Sequence, residues 1–211
     1  MFSVVRKKTN LLRAAPWAAQ GSRAPIRVEP TKADEVIARW AADTAKPPVQ
    51  KLARGLSWGA DEKVWLALTS AGWLVSRGRS PSVQRAANHA LLVTVVVSAL
   101  PHVLKSVFDQ TRPDRKTVRG HLKGVRLSGK AEDAFPSGHA LHMGALFSGA
   151  GPLPAPARIS VRSLAVALCF TRIIVLAHWA SDVAVGFVMG ALVERGLRLW
   201  TGYAQEGVGR R

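Results

Sequence analysis

A stretch of nineteen residues without a formal charge, Ala86 to Leu104, constrains the fold of this chain more than any other feature. A helix needs about 20 predominantly apolar residues to cross the hydrocarbon core of a bilayer, so this stretch has the length of a transmembrane helix. Further apolar runs precede and follow it, and basic segments separate them. The pattern predicts an all-α, multi-span transmembrane helical bundle of about five to six helices.

The expected spans follow the apolar runs and are placed near residues 62–77, 88–108, 138–151, 161–177 and 181–199. Two of these runs are short for a bilayer, so an additional or half-spanning helix at 31–46 is also considered. Thr31 as N-cap, with acidic residues in the following turn, predicts the start of that helix. Pro47 and Pro48 are expected to end it.

The chain has the length of one domain with tails. We expect a flexible basic arm at residues 1–30 and an amphipathic or interfacial helix with a linker at residues 31–60. The membrane domain is expected at residues 61–200, followed by a C-terminal tail at residues 201–211. Residues 114–135 form a polar, basic connection without a helical period, which we interpret as a loop over an active site. Cys169 is the only cysteine, which excludes an intramolecular disulfide and a thiolate metal cluster.

The charge indicates anionic partners, because the formal net charge is +17 while 48% of the residues are hydrophobic. Nucleic acid, an anionic membrane surface and a phosphorylated substrate all fit this charge. The arrangement favours the bilayer and excludes a recognisable nucleic-acid module, since long apolar runs alternate with basic loops.

The first motif lies at the end of the best spanning candidate, where Lys105 is followed by Arg112 and Pro113. Arginine offers a planar fork suited to phosphate oxygens, and lysine adds a mobile point charge. By themselves these two cations also fit the common role of basic side chains that reach the lipid headgroups.

The second motif runs from Phe135 through Pro136, Ser137 and Gly138 to His139. Proline and serine open a helix whose first backbone N–H groups can bind an anion, and glycine allows a phosphate to approach the backbone. His139 is then placed to give a proton to a leaving oxygen. An ordinary N-cap followed by a core histidine is the alternative.

His142 follows one turn later and raises the question of a metal site. Two histidines at this spacing share a helix face, but no third ligand has the spacing of known zinc motifs. We therefore expect no metal.

The third motif, TRIIVLAHWASD, contains Arg172, His178 and Asp182 within an otherwise apolar region. Ionisable groups at membrane depth are costly and usually face the protein interior, where they pair with each other or with a ligand. The four-residue offset allows Asp182 to orient the imidazole of His178, which leaves the other ring nitrogen free as a nucleophile. A buried structural His–Asp contact, with Arg172 paired to Asp182, is the alternative.

The three motifs, in this order, resemble the type 2 phosphatidic acid phosphatase superfamily. The resemblance covers residues 105–182, and its departure from the family pattern is Thr171 in place of serine, which keeps the hydroxyl. It implies that His178 attacks phosphorus, that Asp182 orients it and that His139 protonates the leaving group. The implied phosphate-binding residues are Lys105, Arg112, Ser137, Gly138 and Arg172.

The resemblance further implies a phosphatase that acts without metal or other cofactor on a phosphorylated membrane lipid, of the phosphatidate type or a polyprenyl phosphate or diphosphate. Vanadium-dependent haloperoxidases share these motifs, but the length and hydrophobicity of this chain argue against that activity. A catalytically inactive lipid-binding scaffold is a third possibility, against which the intact histidines and Asp182 argue.

The expected location is a bacterial-type cell membrane, crossed several times. With five spans the basic arm and the loop at 114–135 lie on the same side, which the positive-inside rule makes cytoplasmic. A sixth span at 31–46 separates them, so the side that the site faces stays open, as do the lipid and the oligomeric state.

Overall fold

The protein is described here by a computed structural model that covers residues 24–116 and 133–203 and is mostly helical. The elements follow in the order β1 (Ile26–Arg27), α1 (Lys32–Thr44), α2 (Pro47–Ser57), a short 3₁₀ turn (Trp58–Ala60), α3 (Glu62–Ser76), α4 (Pro81–Val107), β2 (Phe108–Asp109), α5 (Pro113–Lys116), α6 (Gly138–Gly149), α7 (Ala155–Ile174) and α8 (Ala180–Thr201). The basic arm up to residue 23, most of the polar loop at 114–135 and the C-terminal tail beyond residue 203 lie outside the described residues.

Helix α4 contains the uncharged stretch from Ala86 to Leu104. Within the described part of the chain it is the one helix long and apolar enough to cross a membrane by itself, with 27 residues and a hydropathy of 1.8 in its most apolar window. It begins at Pro81, earlier than the expected residue 88, because proline at the first position already has the backbone φ of a helix. Lys105 lies in its last turn.

Helices α1 and α2, with β1 and the 3₁₀ turn, form what we call the N-terminal layer, residues 24–60. Thr31 caps α1 as predicted, in a reciprocal capping box with Asp34. The linker expected after α1 was wrong. Helix α1 does end before Pro47, at Thr44, as predicted. The two prolines also begin α2, because proline is as favourable in the first helical turn as it is disruptive in the interior.

The small strands were not predicted, and they modify the expected all-α fold. Residues of β1 pair in parallel with β2, Ile26 opposite Phe108 and Arg27 opposite Asp109. This pairing joins the N-terminal layer to the chain just after α4. It therefore lies beside the connection that leads to Arg112.

Helix α6 lies at the centre of the helices and packs most closely against α8. A Cβ on Gly190 of α8 would overlap the carbonyl oxygen of Leu141, and one on Gly144 of α6 would overlap the carbonyl oxygen of Phe187. These glycines therefore allow the two backbones to approach more closely than any side chain permits.

The polarity of the helical part is inverted relative to a water-soluble bundle. Exposed large apolar side chains cover the outer faces of α3, α4, α7 and α8, among them Leu68, Leu74, Val95, Val103, Leu164, Phe170, Val188 and Leu192. Polar side chains lie inside, and one cluster of them surrounds Glu194, which is 1% exposed. Its carboxylate accepts hydrogen bonds from Arg198 at 2.6 and 2.7 Å and from Ser148, and lies 3.2 Å from a ring nitrogen of His89. Buried charge in this cluster is thus paired.

Candidate active site

The residues of the three motifs meet at one end of the helices, opposite the Glu194 cluster. They lie at helix ends or in the connections between them: Lys105 in the last turn of α4, Arg112 before α5, Ser137 to His139 at the start of α6, Arg172 in the last turn of α7, His178 in the connection at 175–179, and Asp182 in the first turn of α8. The positive charges of Lys105, Arg112 and Arg172 act on the rings of both histidines. The structure therefore brings all eight predicted site residues together.

The ring of His178 is almost fully buried, with 3% of the side chain exposed. Its Nδ1 lies 2.7 Å from the carbonyl oxygen of Ala134 and 3.8 Å from Oδ2 of Asp182. A carbonyl can only accept, so Nδ1 carries the proton and donates to Ala134. That tautomer leaves the lone pair on Nε2, which is the nitrogen that a nucleophile needs.

Asp182 stabilises the start of α8 in addition to lying near the imidazole of His178. Its Oδ2 accepts a hydrogen bond of 2.9 Å from the backbone N–H of Trp179, next to His178. Oδ1 is buried and has no hydrogen-bond partner among the described residues. The sequence predicted direct orientation of His178 by Asp182. In the structure the Ala134 carbonyl is the nearer partner, and Asp182 fixes the backbone that follows the histidine.

The start of α6 has the geometry of an anion site. Ser137 is the N-cap, and its hydroxyl accepts from the backbone N–H of Ala140 at 3.4 Å. Its own N–H donates to the carbonyl of Asp182 at 3.2 Å, which joins α6 to α8 at the site. A Cβ on Gly138 would make only an ordinary contact with Pro101, so packing does not require glycine there.

Arg112 is 5% exposed and engaged on two sides. Its Nη1 donates to the carbonyl of Ala177 at 3.0 Å. Its Nε and Nη2 donate to Oδ1 of Asp133 at 3.0 and 2.7 Å. The other carboxylate oxygen of Asp133 lies 3.6 Å from Nζ of Lys105. Two of the predicted phosphate-binding cations therefore share one carboxylate.

Arg172 is also buried, with 4% of the residue exposed. Its Nη1 donates to the hydroxyl of Ser57, at the end of α2, at 2.5 Å. Its Nε is buried and has no hydrogen-bond partner in the described part of the chain. A buried, unpaired guanidinium donor beside His178 is suited to an anionic oxygen.

A second contact from the N-terminal layer reaches α8. Oδ1 of Asp34 accepts from the backbone N–H of Ser181 at 2.8 Å, and Oδ2 accepts from the Ser181 hydroxyl at 2.8 Å. Burial by itself would raise the pKa of Asp34, but hydrogen bonds from Ser181 and Thr31 outweigh it and hold that pKa below its ordinary value. Asp34 thus caps both its own helix and α8.

Four residues that hold the site were missed from the sequence: Asp34, Ser57, Asp133 and Ala134. Asp133 left a usable signal, since it is one of three acidic residues in the otherwise basic loop at 114–135. Ser57 and the Ala134 carbonyl left none. His142, considered above as a metal ligand, has its Nε2 3.4 Å from the hydroxyl of Ser98.

Comparison with known proteins gives a family and relatives. The profile of the PAP2 superfamily matches residues 86–206, more than half of the chain. A lipid A 1-phosphatase of Rhizobium johnstonii is 33% identical over 165 residues, which are 71% of this chain and 67% of the relative. A lipid A 1-phosphatase of Rhizobium etli is 36% identical over 102 residues, which are 47% of this chain and 44% of that protein.

Two solved structures share the fold. LpxE of Aquifex aeolicus superimposes with a TM-score of 0.58 at 18% identity, covering 77% of this chain and 92% of that one. A transmembrane PAP2-type phosphatidylglycerolphosphate phosphatase of Bacillus subtilis superimposes with a TM-score of 0.57 at 19% identity, covering 83% and 87%. At these identities the likeness concerns the fold.

Proposed function

Because the chain belongs to the PAP2 superfamily and is a phosphatase, we propose that it hydrolyses the phosphate ester of a membrane lipid through a phosphohistidine on His178. One observation carries the proposal: three cationic side chains and the start of α6 surround a histidine whose Nδ1 is already engaged. Cations and free backbone N–H groups are what the transferring phosphoryl group requires.

The reaction then proceeds in two displacements. In the first, the Nε2 lone pair of His178 attacks phosphorus, the bond from phosphorus to the lipid oxygen breaks, and His139 gives that oxygen a proton. In the second, water attacks phosphorus, His139 takes a proton from the water, and the P–N bond breaks to release phosphate and restore His178. Lys105, Arg112 and Arg172 offset the charge of the phosphoryl oxygens in both steps.

The first substrate to test is a phosphoglycolipid of the lipid A type, because two relatives are lipid A 1-phosphatases. Phosphatidate, phosphatidylglycerol phosphate and polyprenyl phosphates follow from the family resemblance. The apolar outer faces of the helices suit all of these lipids, since each would present its phosphate at the membrane surface.

We further propose that the domain crosses the bilayer several times and that the N-terminal layer lies at its surface. The outer faces of α3, α7 and α8 are apolar like that of α4. Helix α6 has only 12 residues and reaches roughly 18 Å, too little for a bilayer, but its neighbours enclose it. In α1 and α2 the exposed Trp40, Leu52 and Leu56 lie on helices that also carry basic side chains, a pattern typical of interfacial helices.

The test is phosphate release by the full chain in detergent, with EDTA present, from lipid A and the other candidate lipids. We expect release from at least one lipid by the parent and a loss of about 10³-fold or more in His178→Ala. His102→Ala is the matched control, because this histidine is exposed and pairs with Glu62 at the surface. Equal release by the parent and His178→Ala would remove the nucleophile from the proposal.

Trapping the intermediate tests the covalent step separately. Brief incubation with a ³²P-labelled substrate is expected to leave acid-labile, base-stable label on the parent protein and none on His178→Ala. Label that persists in His178→Ala would place the covalent phosphate on another residue.

A further inference from the structure

The site contains an anion of its own, the carboxylate of Asp133. Its two oxygens divide between two cations: Oδ1 accepts from Nε and Nη2 of Arg112, and Oδ2 lies 3.6 Å from Nζ of Lys105. A phosphate with its oxygens at these positions would make the same contacts.

The backbone around Asp133 is fixed beside the nucleophile. Its neighbour Ala134 donates its N–H to the carbonyl of Gln110 at 3.0 Å and offers its own carbonyl to His178. The Asp133 side chain, in contrast, is 23% exposed. The carboxylate can therefore rotate away without disturbing the bond that holds the ring of His178.

The nitrogens of Arg112 are all engaged by the protein. Asp133 occupies the Nε–Nη2 edge, and Nη1 donates to Ala177. A phosphate that takes the Nε–Nη2 edge must therefore compete with Asp133. Asp133 is the acceptor that carries charge and has access to solvent, so it is the one that exchanges at lower cost.

We propose that Asp133 is an internal substitute for the substrate phosphate: it neutralises Lys105 and Arg112 in the empty site and is displaced when the phosphate binds. The inference rests on the function proposed above. Without such a partner, two cations near one another and close to Arg172 would repel in a partly buried site. With it, each phosphate that enters or leaves exchanges with a carboxylate, which weakens phosphate binding and favours release of the product.

The opposite role is a permanent one, in which Asp133 orients Arg112 and Lys105 and stays in place while phosphate binds elsewhere on them. The two roles predict opposite signs for the isosteric change Asp133→Asn. Displacement predicts tighter phosphate binding, because a competing charge is removed. Permanent orientation predicts weaker binding, because the cations lose their support.

The experiment measures binding of inorganic phosphate and orthovanadate to the full chain in detergent by calorimetry, and their inhibition constants where a hydrolysed lipid is known. We expect Asp133→Asn to bind phosphate roughly tenfold more tightly than the parent. Asp133→Glu keeps the charge and is expected to stay at or below the parent's affinity. Asp43→Asn, on the exposed face of α1, makes the same charge change away from the site and is the control.

Unchanged or weaker phosphate binding in Asp133→Asn, with a melting temperature like the parent's, overturns the proposal. Asp133→Ser replaces Asp133→Asn in the same measurement where the latter fails to fold. Binding needs no turnover, so the outcome is independent of which lipid is hydrolysed. Equal phosphate binding by the parent and Arg172→Gln would contradict the proposed phosphate site, so this failure of the proposed function is distinguished from a failure at Asp133, which the sign of the Asp133→Asn effect reports.

Discussion

The N-terminal layer and the helices that follow it hold the same site by different means. Helices α6 and α8 carry His139 and Asp182 and are joined by backbone packing through glycines. The N-terminal layer contributes side-chain hydrogen bonds, two donated by Ser181 to Asp34 and one donated by Arg172 to Ser57, beside apolar packing against the connection at 175–179. The family profile begins at residue 86, after this layer. The match to the family therefore identifies a phosphatase. Asp34 and Ser57, which contact Ser181 and the predicted site residue Arg172, lie outside the matched residues.

The largest expected effect belongs to the reacting groups. His139→Ala should lower kcat for a lipid phosphate by about 10²–10⁴-fold, because the leaving alkoxide loses its proton donor. In kcat/KM, which reports formation of the phosphohistidine and not its hydrolysis, the loss should be much smaller for an aryl phosphate such as p-nitrophenyl phosphate, whose leaving group needs no proton. Equal losses of kcat/KM for both substrates would contradict the role of His139 as proton donor.

The second largest effect is expected from disturbing the backbone packing between α6 and α8. Gly190→Ala forces a Cβ into the carbonyl of Leu141 and should destabilise the protein by about 1–3 kcal/mol, seen as a lower melting temperature in detergent. Gly196→Ala is the matched control on the same helix, since a Cβ there meets nothing within 4 Å. That control should be neutral or stabilising, because alanine favours a helix more than glycine does. A similar drop in both variants would show that the close approach is not required.

The contact of the layer with α8 should matter less than the packing between helices. Asp34→Asn replaces a carboxylate that accepts two bonds from Ser181 and should cost about 1–2 kcal/mol of stability. Asp43→Asn, also on α1 but exposed, should leave the melting temperature unchanged. An effect of Asp34→Asn as small as that of Asp43→Asn would mean that α8 does not depend on the layer.

The stabilisation by the contact between Asp34 and Ser181 should depend on pH in a definite direction. The pKa of Asp34 is lowered in the folded protein, so its stabilisation is present above the ordinary value of 3.8 and is lost as pH falls through the lower folded value. The difference in melting temperature between the parent and Asp34→Asn should therefore be constant near neutral pH and shrink below pH 3.8. A difference that grows on acidification would reverse the assignment.

The smallest effect is expected at Ser57. Ser57→Ala removes the hydrogen bond to Arg172 and should raise KM about threefold to tenfold with kcat little changed, equivalent to the net worth of one hydrogen bond. Ser57→Thr keeps the hydroxyl and should restore KM. A fall in kcat without a change in KM would mean that Ser57 supports the chemical step rather than phosphate binding.

The sequence predicted the eight residues that the structure brings together and missed the groups that hold them in place. The spacing of Arg172, His178 and Asp182 was readable because ionisable residues are rare in apolar helices. The bond from His178 to the Ala134 carbonyl was not readable, since a main-chain acceptor has no identity in a sequence. Pairings such as Asp34 with Ser181 depend on how distant segments pack, and no local pattern records that.

Among the helices, too, some were predicted from the sequence and others were missed. The uncharged stretch of α4 was predicted as a helix because its composition is extreme. Helix α2 was missed because two prolines were interpreted as a stop rather than as a start. The buried Glu194 was also missed, because nothing in the sequence distinguishes a charged residue inside the protein from one at the surface.

The glycine contacts between α6 and α8 also distinguish two parts of the site. His139 and Asp182 are carried by two backbones in direct contact, so the packing of α6 on α8 fixes their separation. Lys105 and Arg172 are carried by α4 and α7, whose outer faces are apolar and exposed. In the proposed membrane arrangement, a change in lipid thickness would therefore reach these two proposed phosphate-binding cations before it changed the distance between His139 and Asp182.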